Sequence, residues 1–246
     1  MPPTGELPVY PMTAIDEITY RTPDALYNGQ ATVNVIQSCI PDIRDAWAIP
    51  ATDIDTLLIA IRIASYGHDM EFGTTCPACN HSSEQTIDLR TVLDSIIVAD
   101  YNKTVSAGDM EIFFKPLNYR HLNNNNQMQY ENQKLLQMLP DSGIPEADKM
   151  AALSDALKKI TDITVVALAQ SIAAVKTPQA LVSEPEYIEE MLKNCDGKLF
   201  NQIRDFILNL KAGSEMQPLK LVCDECKHEY EQSITLDMAS FFGYAS

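Results

Sequence analysis

The chain has 246 residues, of which 46% are hydrophobic and 21% charged, and its formal net charge is −16 at pH 7. This composition is typical of a folded globular protein, and no apolar run reaches the ~20 residues of a membrane-spanning helix. The negative charge repels phosphate backbones at long range, which argues against nucleic acid as a partner. Residues 1–6 lack the basic and apolar segments of a signal peptide, so we expect a cytosolic protein.

The N-terminal quarter predicts an extended arm followed by helices. Residues 1–12 are rich in proline, which favours an extended segment. Thr13 stands three residues before Asp16, the spacing of a capping box, so a helix is predicted to begin there. Another helix is predicted over residues 52–66, where apolar residues recur at helical spacing. Glycine can take the left-handed cap conformation, so that helix is predicted to end near Tyr66 and Gly67.

The next part of the chain predicts β-structure. Residues 70–72 and 85–89 flank a pair of cysteines and have strand-like patterns. Residues 104–117 predict a β-hairpin, because two apolar strands flank a turn that contains glycine at 106–109. Strand patterns return near the C-terminus, at 219–222 and 232–236.

A long helical region lies between these strands. Its asparagine run at 123–126 is a poor helix former and predicts a break, while Ser183 and Glu186 predict a capping box. Beyond the last strand, the aromatic segment 241–244 is predicted to pack against the protein. The predicted helices of the region are Tyr119–Met138, Glu146–Lys176, Pro185–Asn194 and Gly197–Leu210.

A repeated motif contains four of the six cysteines. Two segments, offset by 147 positions, both read C-x-x-C-x-H-x-x-E-Q-[TS]-I-x-L. The first carries Cys76 and Cys79, and the second carries Cys223 and Cys226. Cytosolic thiols stay reduced, which favours metal binding over disulfides, and a structural Zn²⁺ takes four such ligands in a tetrahedron. The repeat therefore predicts one structural zinc ion held by both pairs.

The free energy of zinc binding is large enough to bring two such distant segments of the chain together. Closing a loop of about 150 residues costs about 4–5 kcal/mol. Structural zinc sites have apparent binding free energies of about 10–16 kcal/mol near neutral pH. Metal binding can therefore offset the free-energy cost of closing this loop.

Other interpretations of the cysteines stay open. The pairs could be reduced thiols without metal, or local disulfides; a thioredoxin-like redox pair fits less well, because that motif occurs once, at a helix start. Since four cysteines fill a zinc shell, His81 and His228 are predicted to hydrogen-bond around the site or to lie exposed. Cys39 and Cys195 are predicted to be packing residues.

The sequence contains none of the common catalytic motifs. HExxH, a Walker-type loop, GxGxxG and GxSxG are all absent. A zinc ion with four thiolate ligands also has no open position for water or a substrate. We therefore predict that the protein is not an enzyme and has no small-molecule substrate.

The chain resembles the T4-type bacteriophage baseplate proteins that act in assembly of the central tail hub. The resemblance runs along most of the chain, and its motifs are Met12–Glu17, Leu58–Gly67, the Cys76–Cys79 knuckle, Ile112–Leu117, the second knuckle and Phe241–Gly243. It implies a structural component of the hub, or an assembly factor or chaperone, that contacts other tail and baseplate hub proteins. Such proteins work in the host cytoplasm during tail assembly, and the mature virion is the other location to consider.

Together these patterns predict an α+β protein. Residues 70–118 and 215–246 are predicted to form a zinc-ribbon-like β-module from two distant knuckles, with residues 119–214 as a large helical insertion. Residues 13–69 form a mainly helical region after the arm at 1–12.

A nucleic-acid-binding zinc ribbon, such as a transcription accessory protein, is the alternative. The acidic residues Asp224, Glu225 and Glu229 outnumber Lys220 and Lys227 around the second knuckle, and no basic stripe is present in the sequence. The charge pattern therefore favours the baseplate hypothesis.

Overall fold

The computed structural model describes residues 6–20, 29–139, 145–214 and 216–233. The chain divides into two compact units, one formed by residues 1–98 with 213–246 and the other by residues 99–212. Helices and small antiparallel sheets occur together in the described residues. The predicted α+β fold is confirmed.

The elements are numbered in chain order. The described helices are α1 (Ala14–Tyr20), α2 (Gln30–Cys39), α3 (Ile54–Tyr66), α4 (Leu89–Ser95), α5 (Tyr119–Met138), α6 (Glu146–Gln170), α7 (Pro185–Asn194) and α8 (Gly197–Ser214). The described strands are β1 (Asp69–Thr75), β2 (Ser82–Asp88), β3 (Thr104–Ala107), β4 (Met110–Phe114), β5 (Ile172–Lys176), β6 (Leu181–Val182), β7 (Leu219–Val222) and β8 (Glu229–Gln232).

The first helix of unit 1 begins with the predicted capping box. The Thr13 backbone N–H donates to Asp16 Oδ2 at 2.8 Å, and the Asp16 N–H donates to Thr13 Oγ1 at 3.4 Å. Residues 6–13 before it form neither helix nor strand, and the Tyr10 N–H donates to the Cys39 carbonyl at 2.8 Å. Helix α3 ends at Tyr66, as predicted, but Gly67 has a φ of 86° and a ψ of 176°, so it does not adopt the predicted left-handed cap.

The described core of unit 1 lies between α2 and α3. Val33 and Ile36 on α2 are buried, as are Leu58, Ile59 and Ile61 on α3. All five are aliphatic side chains at helical spacing, so burial of one face stabilises each helix. These helices precede β1, the strand that leads into the first cysteine pair.

Unit 2 contains a four-stranded antiparallel sheet in the order β3-β4-β5-β6. Its core combines the sheet with α6, α7 and α8, and Ile112, Ile172, Ile188 and Ile203 are buried there. The predicted hairpin over 104–117 is present as β3 and β4, with Gly108 in the turn at a φ of 59°.

The sheet changes two predictions. The helix predicted to run to Lys176 ends at Gln170, and residues 172–176 form β5 instead. This happens because β5 pairs with β4, so Ile112 lies opposite Val175 and the hydrogen-bonding edge of β4 is covered. The predicted β-module includes residues 70–118, whereas the structure places residues 99–118 in unit 2, together with a region that is not purely helical.

The predicted break at the asparagine run does not occur. Helix α5 continues through residues 123–126, and the buried Asn125 donates from Nδ2 to Gln170 Oε1 at 3.1 Å. The buried Asn132 similarly donates to the Ala156 carbonyl at 2.9 Å. These bonds to the neighbouring helix outweigh the low helix propensity of asparagine.

The predicted capping box of α7 is wrong. The residue before the helix is Glu184, and no side chain caps the helix start. Pro185 occupies the first turn of the helix. Its fixed φ suits a helix, and because it has no backbone N–H, one fewer N–H group at the helix start needs a hydrogen-bond acceptor. The end of the predicted strand at 232–236 and the aromatic segment 241–244 lie outside the described residues.

Candidate metal centre

The first cysteine pair lies in the tight turn between β1 and β2. These strands pair in register from Asp69 opposite Asp88 to Thr75 opposite Ser82. Within the turn the Cys76 N–H donates to the carbonyl of His81 at 2.9 Å.

A second hydrogen bond and a backbone kink complete this turn. The Asn80 N–H donates to the carbonyl of Cys76 at 2.9 Å. Asn80 has a φ of 57°, a left-handed conformation that asparagine adopts more readily than most residues. The turn thus reverses the chain directly after the second cysteine of the pair.

The second pair lies in an equivalent turn between β7 and β8. The Cys223 N–H donates to the His228 carbonyl at 2.9 Å, and the Lys227 N–H donates to the Cys223 carbonyl at 3.0 Å. Lys227 has a φ of 59° and stands 147 positions after Asn80. The sequence repeat is therefore also a repeat of backbone conformation, down to the left-handed residue.

The two turns bring the four thiols together. Cys76 Sγ lies 3.7 Å from Cys226 Sγ, and Cys79 Sγ lies 3.6 Å from Cys223 Sγ. All four sulfur atoms lie within 4.8 Å of one another. A disulfide needs about 2.05 Å between sulfurs, so none is formed here.

The donor set fits a metal ion. Four sulfurs at about 2.3 Å from a tetrahedral zinc ion would lie about 3.8 Å apart, close to the two shortest separations seen here. The first cysteine of each pair, Cys76 and Cys223, is buried, and the second, Cys79 and Cys226, is exposed. The predicted zinc-ribbon-like cluster from distant segments is thus present, and its four cysteines can hold a metal ion.

The thiols of the first turn differ in acidity. Burial raises the pKa of Cys76, but hydrogen bonds from the backbone N–H groups of Cys79 and Ala78 outweigh it and lower the pKa to about 7. The His81 N–H lowers the pKa of Cys79, but the Cys226 thiol and burial raise it to about 12.

The second turn repeats this contrast. The backbone N–H of Cys226 lowers the pKa of the Cys223 thiol. The His228 N–H lowers the pKa of Cys226, but burial and the thiols of Cys223 and Cys76 raise it overall. Each turn therefore has one thiol with a lowered pKa and one with a raised pKa, because the second keeps its proton in hydrogen bonds to neighbouring sulfur atoms. A bound cation would take the place of those protons, so metal binding is expected to release them.

The two hairpins also touch through a polar contact that the sequence did not indicate. The Thr74 hydroxyl lies 3.1 Å from the Tyr230 hydroxyl. Thr74 is buried, and the His228 ring stacks against the Tyr230 ring with centroids 6.5 Å apart. The repeat aligns Thr74 with Leu221 and Tyr230 with Ser83, so no shared pattern pointed to this pair.

Tyr230→Phe should lower the free energy of unfolding by about 0.5–1.5 kcal/mol, because it removes one hydrogen bond to the buried Thr74. Urea unfolding of the metal-loaded protein measures this. Tyr187→Phe, at an exposed tyrosine on α7, is the matched control. An unchanged midpoint in Tyr230→Phe would show that the hydroxyl contact contributes nothing.

The remaining predicted residues lie outside the thiol cluster. The side chains of His81 and His228 are exposed, one of the two alternatives predicted for them, while their carbonyls hold the turns. Cys39 is fully buried on α2, and burial and the nearby Asp16 raise its pKa to about 11. The half-buried Cys195 donates from Sγ to the Leu192 carbonyl.

Native Cys39 should resist iodoacetamide at about pH 8, because a thiol of pKa about 11 is ionised in only about one molecule in a thousand there. Peptide mass spectrometry after labelling measures this, with the same protein in urea as the control. Equal labelling of Cys39 in the folded and unfolded protein would contradict its burial.

Comparison with protein-family models gave a match. The family described as "T4 bacteriophage base plate protein" matches residues 12–243, nearly the whole chain and both cysteine turns. The chain belongs to this family. Comparisons with curated proteins and with solved structures gave no match.

Membership identifies this baseplate protein as a component of a bacteriophage tail, and the predicted family resemblance is confirmed. Its partners are accordingly expected among phage structural proteins. In the part of the chain that the structure describes, no helix has the length and apolarity needed to cross a membrane.

Proposed function

We propose that this baseplate protein is a structural component or an assembly factor of the central tail hub, and that one zinc ion bound by its four clustered cysteines holds its two hairpins together. The observation that supports this most is the convergence of four thiols from turns 147 positions apart, in a member of the baseplate family. The protein acts through protein–protein contacts, which the metal-linked hairpins position.

Zinc suits the site better than other metals. Four thiolates in a tetrahedron select zinc or iron, and zinc is the usual ion where two cysteine turns face each other. Cys76, Cys79, Cys223 and Cys226 would fill the shell, leaving no position for a substrate. The proposed role of the ion is therefore structural, and we propose no catalytic activity.

Charge supports a protein partner over nucleic acid. Asp224 and Glu225 are exposed in the second turn, and the chain carries a net charge of −16. Such a surface repels phosphate and attracts basic protein surfaces. A zinc-ribbon role in transcription, the alternative considered above, is therefore the weaker proposal.

Co-purification tests the hub role. An affinity-tagged copy expressed during infection should recover tail hub proteins from the host cytoplasm, with the double variant Cys76→Ser/Cys223→Ser as the control that recovers fewer. Peptide mass spectrometry of purified virions beside infected-cell lysate then separates a permanent component from a transient assembly factor. Absence from both virions and tail intermediates would overturn the proposal.

A further inference from the structure

Helix α6 carries an exposed apolar stripe along its first half. The stripe consists of Met150, Leu153, Leu157 and Ile160, whose exposed fractions are 67%, 40%, 53% and 36%. Their spacing of three, four and three residues corresponds to successive a and d positions of a heptad pattern. That spacing places all four on one side of the helix, as in the seam between two helices packed side by side.

The neighbouring helix α5 contacts a different face of α6. Ala156 is fully buried there, and its carbonyl accepts the hydrogen bond from Asn132 on α5. On the same side Ile163 is buried. Packing of α5 against α6 therefore leaves the stripe exposed.

The stripe is complementary to itself. It is symmetric about position 155, so in an antiparallel pair of α6 helices Met150 of one copy faces Ile160 of the other. In the same arrangement Leu153 faces Leu157, and every apolar position meets an apolar position. A single patch that matches itself in this way is what a two-fold symmetric interface requires.

The residues that border the stripe favour the same arrangement. Ser154 and Thr161 are uncharged, so they permit close approach without like charges face to face. Lys149 borders one end only. In an antiparallel pair its two copies lie at opposite ends of the seam, whereas a parallel pair would place them side by side.

The charges of α5 and α6 balance, whereas those of the whole chain do not. The two helices carry five basic and five acidic residues, so their net charge is 5 − 5 = 0, while the whole chain carries −16. Two copies of so acidic a chain repel each other over most of their surface. Contact through these two neutral helices adds little to that repulsion.

We infer that a second copy of this chain packs on the stripe and forms an antiparallel, two-fold symmetric dimer through α6. Only four large apolar side chains per copy enter the seam, so the contact is at the small end of specific interfaces. The dimer therefore dissociates readily on dilution. This inference depends neither on the metal nor on the hub role.

Sedimentation equilibrium of the full chain between about 1 and 200 µM tests the dimer. The wild-type protein should pass from monomer to dimer over this range. Leu153→Glu/Leu157→Glu should weaken association about tenfold or more, because it places four carboxylates in one seam. Leu208→Glu, at an exposed leucine of α8, is the matched control and should dimerise as the wild type does.

Circular dichroism and urea unfolding establish that the variants are folded, and both should match the wild type because the substituted side chains are exposed. A wild-type protein that stays monomeric at every concentration would overturn the inference. So would a dimer that is unchanged in Leu153→Glu/Leu157→Glu.

Discussion

Replacing Cys223 with serine should release the metal and unfold the two cysteine hairpins. The Cys223 thiol is buried, lies 3.6 Å from Cys79 Sγ and has a lowered pKa, so it is well placed to bind metal as a thiolate. A serine hydroxyl does not ionise near neutral pH, and the remaining three thiols bind zinc more weakly. Much of the about 10–16 kcal/mol that a structural zinc site supplies is then lost.

Elemental analysis and limited proteolysis measure the outcome. The variant should contain well under one zinc per chain, and cleavage should appear within residues 69–88 and 219–232. Cys195→Ser is the matched control, because it makes the same chemical change outside the cluster and should retain the metal. Full zinc content and unchanged protection in Cys223→Ser would show that Cys223 is not a ligand.

Truncating Ile112 should destabilise unit 2 while leaving the metal in place. Ile112 is fully buried at the centre of the sheet, opposite Val105 on β3 and Val175 on β5. Ile112→Ala removes its apolar contacts and leaves a cavity, at a cost of about 2–5 kcal/mol. Zinc content should equal that of the wild type, because the four cysteines belong to the other unit.

Urea unfolding monitored by circular dichroism measures this loss. Ile97→Ala is the matched control, since Ile97 is exposed and its truncation should change the free energy of unfolding by less than about 0.5 kcal/mol. A similar midpoint for both variants would contradict the assigned core of unit 2.

The cysteine cluster could be predicted because the same cysteine motif occurs twice in the sequence. Both copies of the motif have the cysteine, histidine and strand residues at the same offsets, and their turns have the same backbone hydrogen bonds. Zinc chemistry then supplies the reason for two pairs to meet. The contact between Thr74 and Tyr230 could not be predicted in this way, because the two copies of the repeat have different residues at these positions.

Helix boundaries could be predicted where residues at the helix ends determine them, without contacts to distant parts of the chain. Helix α5 spans the predicted Tyr119–Met138, and Gly67 ends α3 as its positive φ allows. Strand β5 was missed because its apolar residues also suit a helix, and only pairing with β4 makes it a strand. The asparagine run was misjudged for the same reason, since Asn125 is held in its helix by a partner on α6.

X-ray absorption at the zinc edge, with elemental analysis of the same reduced wild-type sample, tests the metal site most directly. We expect one zinc per chain, surrounded by four sulfur atoms at about 2.3 Å. Reduced, folded protein without metal, or a zinc shell in which oxygen or nitrogen replaces sulfur, would contradict binding by Cys76, Cys79, Cys223 and Cys226.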